Sequence, residues 1–356
     1  MTYSKIFLGD LPELTSLIIQ YFQNDFSTLY SCILVNRLWC RLAIPLLWED
    51  PFSIPAKNCR FIEIYLYNSS EDDRAKINRF GINIIPSNTL FNYPSFIKRF
   101  NTHKFFKSIK QWLYTVIKER SFFSSFYLTE LIILILIKIF VQNEIDLHTL
   151  EIDTAKTDVQ IRYFKPAFNL ILQNPNLNQN IKTLKLNCDY DEYIEEFSTQ
   201  IIKSQQDLKK IIFKFDIYNL YILKNSNYFN LALDLIRNIG QNLNYLSFDI
   251  TKFPSGFSSH DFKFSSILLQ NLGQILPYKL EYLNLIFKIN ASDFKIFLTN
   301  SHNIFIRKLL IRNMMYDKNE DILPYIKEYI MKEKRVTYFA MEEILPKEKK
   351  EKKEKK

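Results

Sequence analysis

The sequence predicts a mixed α/β chain in four stretches. A module of three short helices covers residues 8–51, a helical connector 52–146, an irregular run of strand–helix units 147–342, and a charged tail 343–356. Three observations carry this. Near the N-terminus apolar residues recur at steps of three and four, the period of one helix face. After residue 147 a pattern of apolar-x-x-apolar-x-apolar-x recurs six times. Between its occurrences lie stretches of helical period.

The first predicted helix carries Leu11, Leu14, Ile18 and Phe22, with Pro12 in the first turn, where a missing N–H breaks no hydrogen bond. Asn24-Asp25 is a cap-type pair, and the second helix carries Phe26, Leu29 and Ile33, followed by Val35. The third carries Leu38, Trp39 and Leu42, and Pro45 is expected to close it. Segments this short are unstable alone in water. They must pack on one another and on something further, because so few residues bury too little surface for an independent core.

These residues carry a family resemblance. Leu11-Pro12-Glu13-Leu14, Ile18-Ile19-Gln20-Tyr21-Phe22, Asp25 to Leu29, and Cys32 to Ala43, followed by Ile44-Pro45-Leu46-Leu47-Trp48, resemble the F-box in its fungal form. Thr15-Ser16 departs from the pattern, where such sequences often place apolar or acidic residues. The resemblance implies docking onto a Skp-type adaptor and, through it, a cullin. It also implies that Leu11, Pro12, Leu14, Ile18, Leu29, Val35 and Trp39 include both module core and adaptor contacts, undivided by sequence. The alternative is a helical core with no partner.

In the connector, residues 57–67 are expected to form a helix with Phe61, Ile64 and Tyr65 inward. Asn68 to Asp73 is a polar break with helix-starting chemistry. Residues 104–120 set lysines against Phe105, Ile109, Trp112, Leu113, Val116 and Ile117, an amphipathic helix. Residues 127–142 are apolar nearly all round, hence buried. The run Leu131 to Ile137 is interrupted by Lys138 and is too short to span a bilayer. The N-terminus leads into no apolar segment of a secretory signal.

The six steps begin at Leu147, Ile181, Leu208, Leu243, Leu280 and Ile306, and Val336 to Met341 is a degenerate seventh. Each places a turn residue and two alternate strand residues toward one core. Helical stretches are expected at 193–206, 228–240, 262–276, 292–301 and 321–332. One strand and one helix per unit resembles an irregular leucine-rich-repeat-like α/β solenoid, of the degenerate ribonuclease-inhibitor type. An ordinary α/β domain with parallel strands is the alternative.

The net charge of +9 is local. Residues 98–120 hold seven basic side chains against Glu119, and residues 347–356 hold seven lysines against three glutamates. The interleaved Phe100, Phe105, Phe106, Trp112 and Tyr114 raise a nucleic-acid surface as one reading, and an inward aromatic face with a solvated basic one as the other. Residues 347–356, without an apolar residue, are expected to be solvated.

Chemistry is sparse. Gly9, Gly81, Gly240, Gly256 and Gly273 are too far apart for a phosphate loop or nucleophile elbow. The acidic cluster Asp189 to Glu196 lacks EF-hand spacing and suits a helix start. His103, His148, His260 and His302 are isolated, and Cys32, Cys40, Cys59 and Cys188 form no C-x-x-C pair. Reduced, buried thiols in a cytoplasmic or nuclear protein are expected, with no cofactor, no metal and no catalytic residue. The expected function is a non-catalytic substrate receptor of a Skp–cullin–F-box ubiquitin ligase, its repeats holding a target protein. The alternatives are a ubiquitin-independent repeat scaffold and a basic nucleic-acid-binding module.

Overall fold

All six apolar steps form β-strands in the structure, a computed structural model that describes residues 11–54, 59–117, 122–153, 158–187, 192–204, 208–216, 227–239, 242–252, 263–314 and 321–343. The tail from 344, Cys188, His260, residues 189–191 of the acidic cluster, Lys118 and Arg120 lie outside the described residues. The chain divides into two compact units, Met1–Lys182 and Thr183–Lys356.

The first unit begins with α1 (Pro12–Tyr21), α2 (Phe26–Ile33) and α3 (Arg37–Leu47). Pro45 lies inside α3, which corrects the expected stop. A last-turn proline removes one N–H, and the helix still closes through Trp48 N–H on the Ile44 carbonyl. Then come α4 (Phe61–Leu66) and α5 (Glu71–Asn78), the latter capped by Ser70 accepting from Asp73 N–H. In α4 Tyr65 is buried as expected, together with Ile62 and Leu66, while Phe61 and Ile64 are half-buried. Six residues carry two competing apolar stripes, and only the neighbours select one.

A strand, β1 (Arg99–Asn101), interrupts the expected helical connector. It pairs in parallel with β2 (Thr149–Asp153), the first of the six steps. The Glu49 carbonyl accepts from Lys98 and Arg99 N–H, and the Lys98 carbonyl from His148 and Thr149 N–H. Between them run α6 (Thr102–Val116) and α7 (Phe122–Gln142). Phe105, Ile109, Trp112 and Leu113 of α6 point inward, while Lys104 and Lys107 are exposed. Nearly every apolar residue from Leu128 to Phe140 of α7 is buried. Lys138, which interrupts that run, reaches Asp73 at 3.6 Å. An aromatic cluster fills the centre, with Phe52–Phe105 ring centroids 4.8 Å apart and Phe100–Phe105 4.9 Å apart. The unit ends with α8 (Asp158–Leu172), unforeseen because Pro166 falls inside it, and a short α9 (Pro175–Asn178).

The second unit alternates strand and helix: β3 (Thr183–Asn187), α10 (Glu192–Ser204), β4 (Lys210–Asp216), α11 (Asn227–Ile239), β5 (Tyr245–Lys252), α12 (Lys263–Ile275), β6 (Tyr282–Phe287), α13 (Ala291–Asn300), β7 (Ile306–Asn313), α14 (Leu323–Tyr325) continuing as a π-helical turn (Ile326–Met331), and β8 (Val336–Glu343). The six strands are parallel and lie in chain order. Crossovers of one hand put the helices on one face of such a sheet. The burial pattern agrees: Leu184, Leu186, Ile211, Phe213, Leu246, Phe248, Leu283, Leu285, Leu309 and Ile311 are buried, and their alternates mostly half-exposed. The turn residues Ile181, Leu208, Leu243, Leu280 and Ile306 are buried as well. Gly273 of α12 lets α13 approach closely, since a Cβ there would meet the Phe297 carbonyl oxygen at 2.6 Å.

No helix among the described residues is long and apolar enough to cross a membrane, and no group of side chains among them is arranged to hold a metal ion.

Candidate docking surfaces

The N-terminal helices are built by their caps. Pro12 opens α1. Asp25 caps α2, accepting from Thr28 N–H at 3.0 Å and Thr28 Oγ1 at 2.7 Å, and these bonds hold its carboxyl below the usual carboxylate range. Asn36 caps α3, accepting from Trp39 N–H at 2.9 Å. Their common core is Ile19, Leu29, Cys32, Trp39 and Ala43, with Phe22, Ile33, Leu42, Leu46 and Leu47 packed around it. Burial pushes the Cys32 thiol up, so it stays protonated. Cys40, expected to be buried, is half-exposed.

The structure separates the residues singled out by sequence. Leu29 and Trp39 belong to the core. Leu11, Pro12, Leu14 and Val35 are exposed, and Ile18 is half-buried. The inward positions of α1 are Thr15 and Ile19. Thr15 is fully buried, and its hydroxyl is satisfied by donating to the Leu11 carbonyl. Burying that face turns the other outward, so Leu14, Leu17 (64 % exposed) and Tyr21 (87 % exposed) form a stripe at helical spacing. Tyr30, Leu34 (73 % exposed) and Val35 form a second exposed set at the end of α2. Sequence reasoning missed Leu17, Tyr21, Tyr30 and Leu34. Their signal was a second apolar stripe on helices whose first stripe sufficed for a core. Beside α3 runs an open groove of about 600 Å³ lined by Ile33, Asn36, Arg37, Cys40, Arg41, Leu90 and Phe91.

The basic segment 98–120 resolves differently. Phe100, Phe105 and Trp112 are buried, and Trp112 Nε1–H donates to Glu63 at 3.1 Å. Lys110 lies 5.7 Å from the centroid of the Tyr163 ring and 5.8 Å from that of Phe106. Phe106 is half-buried and Tyr114 is 66 % exposed, so only the three buried rings are closed to stacking.

In the second unit the strand face opposite the helices is a surface in its own right. Strand register aligns the third position of each step into a row: Thr183, Lys210, Tyr245, Tyr282, Lys308, Tyr338. Lys210 Nζ sits 3.9 Å from the Tyr245 ring centroid. Tyr245 and Tyr282 stack at 4.2 Å with an interplanar angle of 8°. Lys308 Nζ lies 5.5 Å from Tyr282 and 4.9 Å from Tyr338. Burial, then the neighbouring Tyr282, push the Tyr245 phenol up to about 12. Burial, then the nearby Lys185 ammonium, hold Lys210 below the ordinary lysine value.

Comparison with family models, with characterised proteins and with solved structures finds no match.

The two surfaces are of different kinds. The helical one is apolar and suits burial against another protein. The strand one is polar and cationic, with the ring faces of Tyr245 and Tyr282 already occupied. Neither brings a nucleophile, a base and an orienting group together. The tyrosine–lysine row was legible in the repeats once the steps are aligned, since its members share one position.

Proposed function

We propose that the chain is a non-catalytic substrate receptor of a Skp–cullin–F-box ubiquitin ligase. In this reading α1 to α3 are the F-box module, and the strand–helix units are leucine-rich-repeat-like. The carrying observation is the exposed apolar set Leu11, Leu14, Leu17, Tyr21, Leu34 and Val35 on helices whose own core is already filled. A small module that keeps several large apolar side chains in water is stabilised by a partner that covers them. The partner is a Skp-type adaptor and, through it, a cullin. The open strand face of the second unit holds the target protein. Tethering it beside the ubiquitin-loaded enzyme raises its effective concentration, which is all the catalysis the receptor supplies.

The test is capture of a recombinant Skp-type adaptor by the immobilised full-length chain. Binding at micromolar concentration is expected, and its loss in a Leu14→Asp, Val35→Asp double variant. Absence of adaptor binding by the intact chain overturns the ligase reading. A chain that retains a target yet recruits no adaptor is the ubiquitin-independent scaffold.

A further inference from the structure

The open strand face of the second unit carries charge of one sign over two of its three rows. The third-position row is Thr183, Lys210, Tyr245, Tyr282, Lys308 and Tyr338, and the fifth-position row is Lys185, Ile212, Ser247, Asn284, Leu310 and Ala340. These twelve residues include three lysines and no carboxylate. Within these three rows acidic residues enter only in the seventh-position row, as Asp249 and Glu342, and Glu342 is bound by Arg312 at 2.7 Å. Outside them Asp216 ends β4 and Glu281 lies 4.0 Å from Arg307. Lysines gathered without carboxylates repel one another; Lys210 is held below the ordinary lysine value by burial first, and then by the Lys185 ammonium. An anion laid on the face relieves the repulsion.

The tyrosines decide what kind of anion. Tyr245 and Tyr282 cover one another, and Lys210 and Lys308 lie over the ring faces in the row. A base needs a free aromatic face on which to stack, which Tyr245 and Tyr282 lack, and their neighbours Lys210 and Lys308 offer ammonium groups to an anion instead. Hydrogen-bond donors at the spacing of strands, roughly 4.8 Å, suit carboxylates presented by an extended chain. Lys210 on β4 and Lys308 on β7 are three strands apart, about 14 Å. Four residues of extended peptide span about 13 Å. We propose that this face recognises an extended acidic segment of the target protein, in which carboxylates about four residues apart meet Lys210 and Lys308 while Tyr245 and Tyr282 lie between them. The inference rests on the reading of this face as the target-binding surface.

The experiment titrates the full-length chain with a labelled peptide, Thr-Glu-Thr-Val-Thr-Glu-Thr, its Gln-for-Glu counterpart, and single-stranded oligouridylate. The acidic peptide is expected to bind in a salt-dependent manner and the Gln peptide about tenfold more weakly. Lys210→Gln with Lys308→Gln is expected to remove that difference. Lys210→Arg with Lys308→Arg keeps it, and so does Lys327→Gln with Lys332→Gln, which removes the same charge elsewhere. Equal affinity for both peptides overturns the inference. So does an unchanged preference in Lys210→Gln, Lys308→Gln, or oligouridylate binding that the acidic peptide does not displace. Adaptor capture is read in parallel on the same preparations. Its absence overturns the ligase reading alone, and loss of the peptide preference with adaptor capture intact overturns this inference alone.

Discussion

Thr15 Oγ1 donates to the Leu11 carbonyl at 2.9 Å, and the Thr15 N–H shares that carbonyl at 3.0 Å. This local bond lets a polar side chain occupy the inward face of α1 with no unmet hydrogen bond. Burial of that stripe therefore leaves no donor of Thr15 unpaired.

The energetic weight of that face lies in its apolar member. Ile19→Ala is expected to lower stability by about 2–5 kcal/mol. Thr15→Val, which replaces a locally satisfied hydroxyl by a group of the same shape, should change it by less than about 1.5 kcal/mol. Urea unfolding of the two variants measures both.

The outward face should behave in the opposite way. Leu14→Asp and Val35→Asp are each expected to cost about 1 kcal/mol or less, because both positions are only partly covered, at 41 % and 45 % exposure. Trp39→Ala, from the core, costs about 3–5 kcal/mol. Adaptor capture measured beside unfolding separates the two classes: Leu14→Asp loses binding and keeps the fold.

Asn313 ends β7 as a buried polar anchor. Its Oδ1 accepts from Ile289 N–H at 2.9 Å, and its Nδ2 donates to the Ile289 carbonyl at 3.3 Å. Asn313→Leu leaves both backbone groups of Ile289 buried without these bonds, and about 1–3 kcal/mol of stability is expected to go with them. Chemical denaturation detects the loss, and Asn313→Asp, which preserves only the acceptor, should fail to restore it.

Tyr245 sets an alkaline limit. Its phenol titrates near 10 in the unfolded chain and at about 12 in the folded one. Between those values the unfolded state releases a proton that the folded state keeps, so stability falls as pH rises. The contribution is complete below pH 10. Melting temperatures of the native chain and Tyr245→Phe should therefore diverge progressively above pH 10, with the native chain losing more.

Much of the second unit was legible before any coordinates. The helices expected at 193–206, 228–240, 262–276 and 292–301 appear within a residue or two as α10 to α13. The strand triads, such as Leu243, Leu246 and Phe248, are buried as a set. Alternation in a strand backed by helices leaves one choice of face. The first unit was less legible for the same kind of reason. β1 has three residues and no alternation to read, and α8 was hidden by Pro166, a residue that usually breaks helices. For the candidate surfaces, sequence marked Leu11, Leu14 and Val35 but could not set them apart from Leu29 and Trp39. Periodicity identifies a stripe without saying whether protein or water lies against it.

The sequence by itself determined the alternation of strand and helix in the second unit, the cap at Asp25, and the inward set of each strand there. These are local properties, decided by residues a few positions apart. Only the tertiary structure decided that α1 buries Thr15 and Ile19, leaving Leu14, Leu17 and Tyr21 in water, because that depends on how α1 packs against α3. It also made neighbours of Lys210, Tyr245, Tyr282 and Lys308, which the aligned steps only place at one position of the repeat. Successive members of the row lie 26 to 37 positions apart along the chain, and the hydrogen-bond register of parallel strands makes them neighbours.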